Sequence, residues 1–183
     1  MLIIKSLTAA LSLLLSAPFV FCQDSVTPLC FYTGEPAKPG VTIDYEGTTY
    51  AFSSAEKRTQ FEQERAASLY QQIGGAAALT AAVDLFYVKV LADERVNHFF
   101  EDINMKTQNR QQKAFLAAVL GAPVPWTGKD MRAAHANLDI REEDFNAIAE
   151  NLQNTLTELK LDEKLITQIM TIVASTKDDV LNR

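Results

Sequence analysis

From Ser68 to Arg183 the chain repeats one pattern: apolar side chains three and four residues apart, interrupted by glycine and proline. Leu79, Val83, Phe86, Val90 and Leu91 form one stripe. Met105, Phe115, Leu116 and Val119 form a second, and Phe145, Ile148, Leu152, Leu156 and Leu159 a third. Leu165, Ile169, Ile172 and Val173 form a fourth. This spacing predicts amphipathic helices, each with a face that must be covered. Gly74-Gly75 and the run GAPVPWTG at 121–128 break them. Arg141 or Asp144 marks the start of the third helix, and Leu161-Asp162 that of the fourth. Such stripes bury themselves only against one another, so the fold class is mainly α.

Residues 23–66 depart from the pattern. Pro28, Gly34, Pro36, Pro39, Gly40 and Gly47 punctuate them. VTIDYEGTTYAF reads as two short strands joined at Glu46-Gly47, and Ser53 or Ser54 as the cap of a helix in SAEKRTQFEQERAASLY. A β-plus-helix module of about forty residues seldom buries enough to fold alone. It is expected to pack on the helical part or to hold a metal.

The first residues read as a targeting segment. After MLIIK, the stretch SLTAALSLLLSAPFVF carries no charge. About fifteen such residues suit a signal-peptide core and fall short of the ~20 that span a bilayer. Cleavage after Val20-Phe21-Cys22 makes residues 1–22 a signal peptide and starts the mature chain near Gln23. The expected location is then outside the cytoplasm, in a periplasm, with no stable membrane span after processing. A lipoprotein is the competing reading for Cys22, but bulky Phe21 argues against a lipobox; an uncleaved anchor is the third.

That reading gives the cysteines meaning. Of Cys22 and Cys30 only Cys30 survives, so an internal disulfide and a multi-thiolate metal site are both excluded. Two histidines, His98 and His135, are too few for most zinc sites. A metal held through histidine must need few protein ligands, as haem iron does with four porphyrin nitrogens already in place. A formal net charge of −6 and the lack of a basic cluster argue against nucleic acid as partner.

Polar groups on apolar faces mark the candidate site. In MRAAHANL, a helix places Met131, His135 and Leu138 together. Gln108 and Gln112 fall on the face that carries Met105, Phe115 and Val119. Two amides there are costly in a sealed core, because each left unpaired costs a few kcal/mol. They suit a mostly apolar pocket with a few aimed donors. Tyr87 lies four residues after Val83, at the edge of the first stripe, and a buried hydroxyl needs a partner. Taken alone, these residues leave two readings open: a core histidine satisfied by a hydrogen bond, or a histidine aimed into a pocket.

Four stretches settle the choice by resemblance. DLFYVKVLADERVNHFFEDINM, QKAFLAAVLGAP, WTGKDMRAAH and STKDDVLNR, in that order, resemble the group I truncated haemoglobins. The likeness covers about Ser68 to Arg183. It implies a two-over-two helical sandwich around haem b over residues 67–183, preceded by the small β+α module at 23–66. His135 then matches the proximal iron ligand and Phe100 the phenylalanine wedged against the porphyrin. Phe115 and Met131 match haem contacts. Tyr87, Gln108 and Gln112 match the distal residues that hydrogen-bond the gas ligand. Gly74-Gly75 matches the family's glycine pair. The chain departs from the family at Gly121-Ala122, where a second glycine is usual, and at Trp126, where tyrosine is common. His98, two residues before Phe100, is expected to be structural or on the surface. CFYTGEPAKPGVTIDYEGTTYAFSSAEKRTQF is similar to a YHS domain through Cys30, Tyr45, Gly47, Tyr50, Phe52 and Phe61. Ser53, Ser54 and Lys57 stand where that family often has cysteines, which points to packing or docking rather than tight metal binding.

The resemblance implies reversible binding of O2, NO and CO. The alternative on the same site is a nitric oxide dioxygenase or peroxidase. Either enzyme needs a separate reductase, because no flavin or nicotinamide fingerprint is visible. A haem-free helical interaction module is the remaining class. No GxSxG, P-loop or HExxH pattern supports a hydrolase or nucleotide enzyme.

Overall fold

The computed structural model describes residues 27–183. The expected signal peptide and its cleavage site lie outside the described residues. Strands β1 (Thr42–Tyr45) and β2 (Thr48–Ala51) pair antiparallel, with Thr42 opposite Ala51 and Tyr45 opposite Thr48. The turn between them is Glu46-Gly47, at φ 48° and 78°. Positive φ at both central residues makes a turn whose twist matches the strands. The hairpin packs on α1 (Ala55–Ala67) around Phe52 and Phe61, both fully buried. Tyr50 and Phe31 set their rings 4.9 and 5.3 Å from that of Phe61.

Of the two candidate caps, Ser54 is the one used: its side chain accepts from Lys57 N at 3.3 Å. The helix expected to run through Tyr70 stops earlier. Ser68, at φ −68° and ψ 145°, leaves the helical region. Its hydroxyl donates to Arg65 O at 2.7 Å and accepts from Gln71 N at 3.2 Å. One serine thus ends α1 and caps α2 (Leu69–Gln72).

The rest is helical: α3 (Gly75–Ala92), a 3-10 turn (Asn97–Phe100), α4 (Met105–Val119), α5 (Met131–His135), α6 (Glu142–Glu158), α7 (Glu163–Ser175) and α8 (Lys177–Val180). Helix α3 packs on both α4 and α6, and α6 packs on α7. The pairs α3–α4 and α6–α7 therefore stack as two over two. Helix α3 is apolar nearly all round, and although it packs on two helices its Val88 and Leu91 stay exposed. Tyr70, Leu79, Val83, Tyr87, Leu120, Ala122, Leu156 and Ile169 form the main core. Val90, Val96 and Ala147 form a second cluster beside Phe99 and Phe100. At the third helix, Arg141 N donates to Asp144 Oδ2 at 2.9 Å, so the first turn closes on itself.

Three stripe residues are corrected. Leu91, Val119 and Leu138 are exposed. Leu91 follows buried Val90 by one residue, which turns it about 100° away. Val119 is the last residue of α4. Leu138 lies beyond the end of α5, because MRAAHANL is helical only to His135. Asp130 starts that helix by accepting from Ala133 N at 2.7 Å. After one turn the chain leaves it, reaching a left-handed residue at Asp139 (φ 48°).

Candidate functional site

Helices α4 and α5 bury no residue completely, although each carries an apolar face. Gln108, Gln112 and Phe115 on α4 are half-buried, as are Met131 and His135 on α5. Tyr87 on α3 is 5 % exposed and belongs to the main core. Helical spacing explains the α4 face: positions 105, 108, 112 and 115 fall in line.

The structure joins several of the expected residues. Gln108 Nε2 donates to the Tyr87 hydroxyl oxygen at 3.1 Å. The Tyr87 proton then has no protein acceptor among the described residues. Burial pushes the Tyr87 pKa above its ordinary value, and the Gln108 hydrogen bond offsets part of that rise. The hydroxyl is accordingly a neutral donor at neutral pH. Phe100 meets Tyr87 edge-on at 5.9 Å between ring centroids. Gln112 lies one turn beyond Gln108 and makes no side-chain hydrogen bond among the described residues. Phe115 stacks edge-on with Trp126 at 5.4 Å, which ties α4 to the loop leading into α5. Trp126 Nε1 donates to Lys129 O at 2.8 Å and so braces that loop.

His135 and Met131 are joined differently. His135 Nδ1 lies 2.7 Å from Met131 O. A carbonyl only accepts, so Nδ1 carries a proton; in the neutral ring the lone pair is then on Nε2. Nε2 has no partner among the described residues. Among those residues, no three histidine, cysteine, aspartate or glutamate side chains gather where they could hold a metal ion. His135 is therefore a lone nitrogen donor. His98 is exposed, with its ring 4.1 Å from that of Phe99.

Helix α5 is too short to hold itself, and the C-terminal segment anchors it. Arg132 Nη2 donates to Asp179 Oδ1 at 2.9 Å and to Arg183 O at 2.7 Å. Lys177 Nζ reaches Glu142 at 2.7 Å. No sequence motif signalled Arg132; only its place three residues before His135 hinted at it.

A free imidazole nitrogen on α5, a donor pair on α3 and α4, and the half-covered apolar faces of α4 and α5 suit a flat apolar group that brings its own metal ligands. Comparison with known proteins agrees. Residues 68–182 match the family described as bacterial-like globin. The chain is 41% identical over 116 residues to a group 1 truncated haemoglobin of Tetrahymena thermophila, covering 63% of this chain and 96% of that one. It is 40% identical over 122 residues to that of a Synechocystis species, covering 63% and 98%. Among solved structures it resembles the 2/2 haemoglobin of a Synechococcus species, in the cyanomet state with covalently attached haem. There the identity is 48%, the coverage 64% of this chain and 100% of that one, and the TM-score 0.61. The Fe(III) truncated haemoglobin of Tetrahymena pyriformis matches at 43% identity, 62% and 97% coverage, and TM-score 0.60. The hairpin and α1 lie outside the matched residues.

Proposed function

This chain belongs to the bacterial-like globin family, with group 1 truncated haemoglobins as its relatives, and we infer that it binds haem and, reversibly, diatomic gas. The prosthetic group is haem b, which supplies an iron that takes O2, NO or CO. The observation that carries this reading is two polar groups, each with one function free: Nε2 of His135 and the O–H of Tyr87.

The chain's own residues then have distinct tasks. Met131 O holds the Nδ1 proton, so His135 offers its Nε2 lone pair in one orientation. Gln108 donates to the Tyr87 oxygen, which leaves the Tyr87 proton free to act as a donor. Gln112 offers a second amide from the same face. Phe100, Phe115 and Met131 present apolar surface that excludes water and keeps the dielectric low. In such a site a fixed donor favours a ligand that gains negative charge, as O2 does, over one that stays neutral, as CO does. Sustained turnover with NO would draw electrons from a separate reductase.

The test is the absorption spectrum of the reduced protein with and without CO, for the wild type and His135→Gly. A Soret band that shifts with CO and is disrupted in the variant is expected. No Soret band after haem addition would overturn the reading. Export of a chain starting near Gln23 is proposed from the apolar leader. Amino-terminal sequencing of periplasmic protein tests it, and recovery from the cytosol with residues 1–22 attached would refute it.

A further inference from the structure

Besides the Tyr45 hydroxyl, which donates to Gln71 Oε1 on α2 at 3.0 Å, the hairpin–α1 segment reaches the ends of two helices that carry distal residues. The first is the start of α3, the helix of Tyr87. Its N-cap, Gly74, offers no side chain to the free amides. Glu46, from the hairpin turn, supplies the missing acceptor. Glu46 Oε1 accepts from Ala76 N at 3.1 Å, and Oε2 accepts from the Tyr70 hydroxyl at 2.7 Å. A Cβ at Gly75 would lie 2.6 Å from Glu46 Oε1, so the carboxylate reaches the helix only over a glycine.

The second place is the end of α4, the helix of Gln108 and Gln112. Gly121, at φ 96°, closes α4: Gly121 N donates to Ala118 O and Ala122 N to Ala117 O. The carbonyls beyond are held from outside α4. Arg65 Nη1, from α1, donates to Gly121 O at 2.8 Å. Tyr70 N donates to Leu120 O at 2.8 Å, and the Tyr50 hydroxyl to Pro123 O at 3.4 Å. A carboxylate thus sits at the positive end of α3 and a guanidinium at the negative end of α4, each the favourable sign. Arg65 Nε is buried with no partner among the described residues, a cost that placement at Gly121 O must outweigh.

The joint is not sealed. A cavity of about 170 Å³ lies between hairpin and helices, lined by Tyr45, Glu46, Tyr50, Tyr70, Ala117 and Val124 among others. A shift of the segment at this cavity moves Tyr70 and Ala122, which line it and belong to the main core. The start of α3 is about three turns from Tyr87, and helices transmit such shifts as rigid rods.

We propose that the hairpin–α1 segment is a clamp on the distal helices: Glu46 at α3 and Arg65 at α4 set the Tyr87–Gln108 spacing and so tune ligand release. The proposal rests on the haem reading above. Glu46 and Arg65 are positioning residues, since neither touches the ligand site.

The test uses the full chain with haem. O2 release is measured by stopped flow for the wild type, Glu46→Ala, Glu46→Gln and Arg65→Ala, each alone and with Tyr87→Phe. Hydrogen exchange of the first amides of α3 is followed in parallel. Glu46→Ala is expected to release O2 about three- to tenfold faster. Glu46→Gln, which keeps an oxygen acceptor, should restore most of the wild-type rate. With Tyr87→Phe in place, neither clamp variant should add a further change. Faster exchange at Ala76 with unchanged O2 release would make Glu46 a structural cap and overturn the proposal, as would additive effects with Tyr87→Phe. A wild type without a Soret band would instead overturn the haem reading, and the clamp's purpose with it.

Discussion

Replacing Tyr87 by phenylalanine removes one oxygen and leaves the ring in its core position. Two interactions go with that oxygen: the bond from Gln108 Nε2 at 3.1 Å and, in the proposed function, the proton that Tyr87 would offer to a bound ligand. Hydrogen bonds to charged acceptors are worth about 1.5–3 kcal/mol, and each ~1.4 kcal/mol is tenfold in a rate or constant. Loss of the whole bond therefore speeds O2 release by about ten- to a hundredfold. Gln108 moderates this. Freed from Tyr87, its amide can turn toward the ligand, and Gln112 already lies one turn away on the same face. The lower end, about tenfold, is the expected value. CO stays nearly neutral when bound, so its release should change by less than about twofold.

Stopped-flow replacement of O2 by CO, and of CO by NO, measures both rates on one preparation. The contrast between them is the decisive quantity. Similar acceleration of both ligands would mean that the pocket had merely loosened, and an unchanged O2 rate would show that Tyr87 donates nothing. Folding should hardly be affected, because half-buried Gln108 still has access to water.

Three further outcomes follow from named contacts. Gly75→Ala should cost about 1–3 kcal/mol in denaturant unfolding, since Gly75 sits at φ 66° and a Cβ would meet Glu46 Oε1. Much of that cost should disappear in the Glu46→Ala background, and a cost unaltered there would place the strain in the backbone alone. The Asp93 carboxyl is held well below the usual range by Arg95, with Asn151 helping and burial opposing. A depressed folded pKa stabilises above the unfolded value of about 4 and is lost as pH falls below it. Asp93→Asn should thus lower stability by about 1–2 kcal/mol at pH 7 and flatten the loss in acid, read from Tm against pH. Arg132→Ala frees α5 from Asp179 and Arg183, so haem transfer to a scavenger protein should quicken several-fold while O2 release stays near wild type.

Side chains that share a helix face were legible because spacing alone places them. Gln108, Gln112 and Phe115 needed no partner to be recognised as an odd wall, and Tyr87 lay one turn beyond Val83. His135 was legible for a weaker reason. The helix expected through Leu138 stops at His135, and periodicity says little over one turn. There the pattern pointed to the residue but left two readings open, and the family resemblance chose between them. Ser68 shows a different limit. Nothing in SAEKRTQFEQERAASLY marks a break, since the break depends on Tyr70 N reaching Leu120 O. Glu46 reads locally as a turn residue, yet its side chain meets an amide thirty residues on. In each of these cases one partner is a backbone group, and every residue but proline carries the same two. Patterns of side chains therefore identify which residues face a site, while the contacts that hold the helices around it become visible only once the chain is folded.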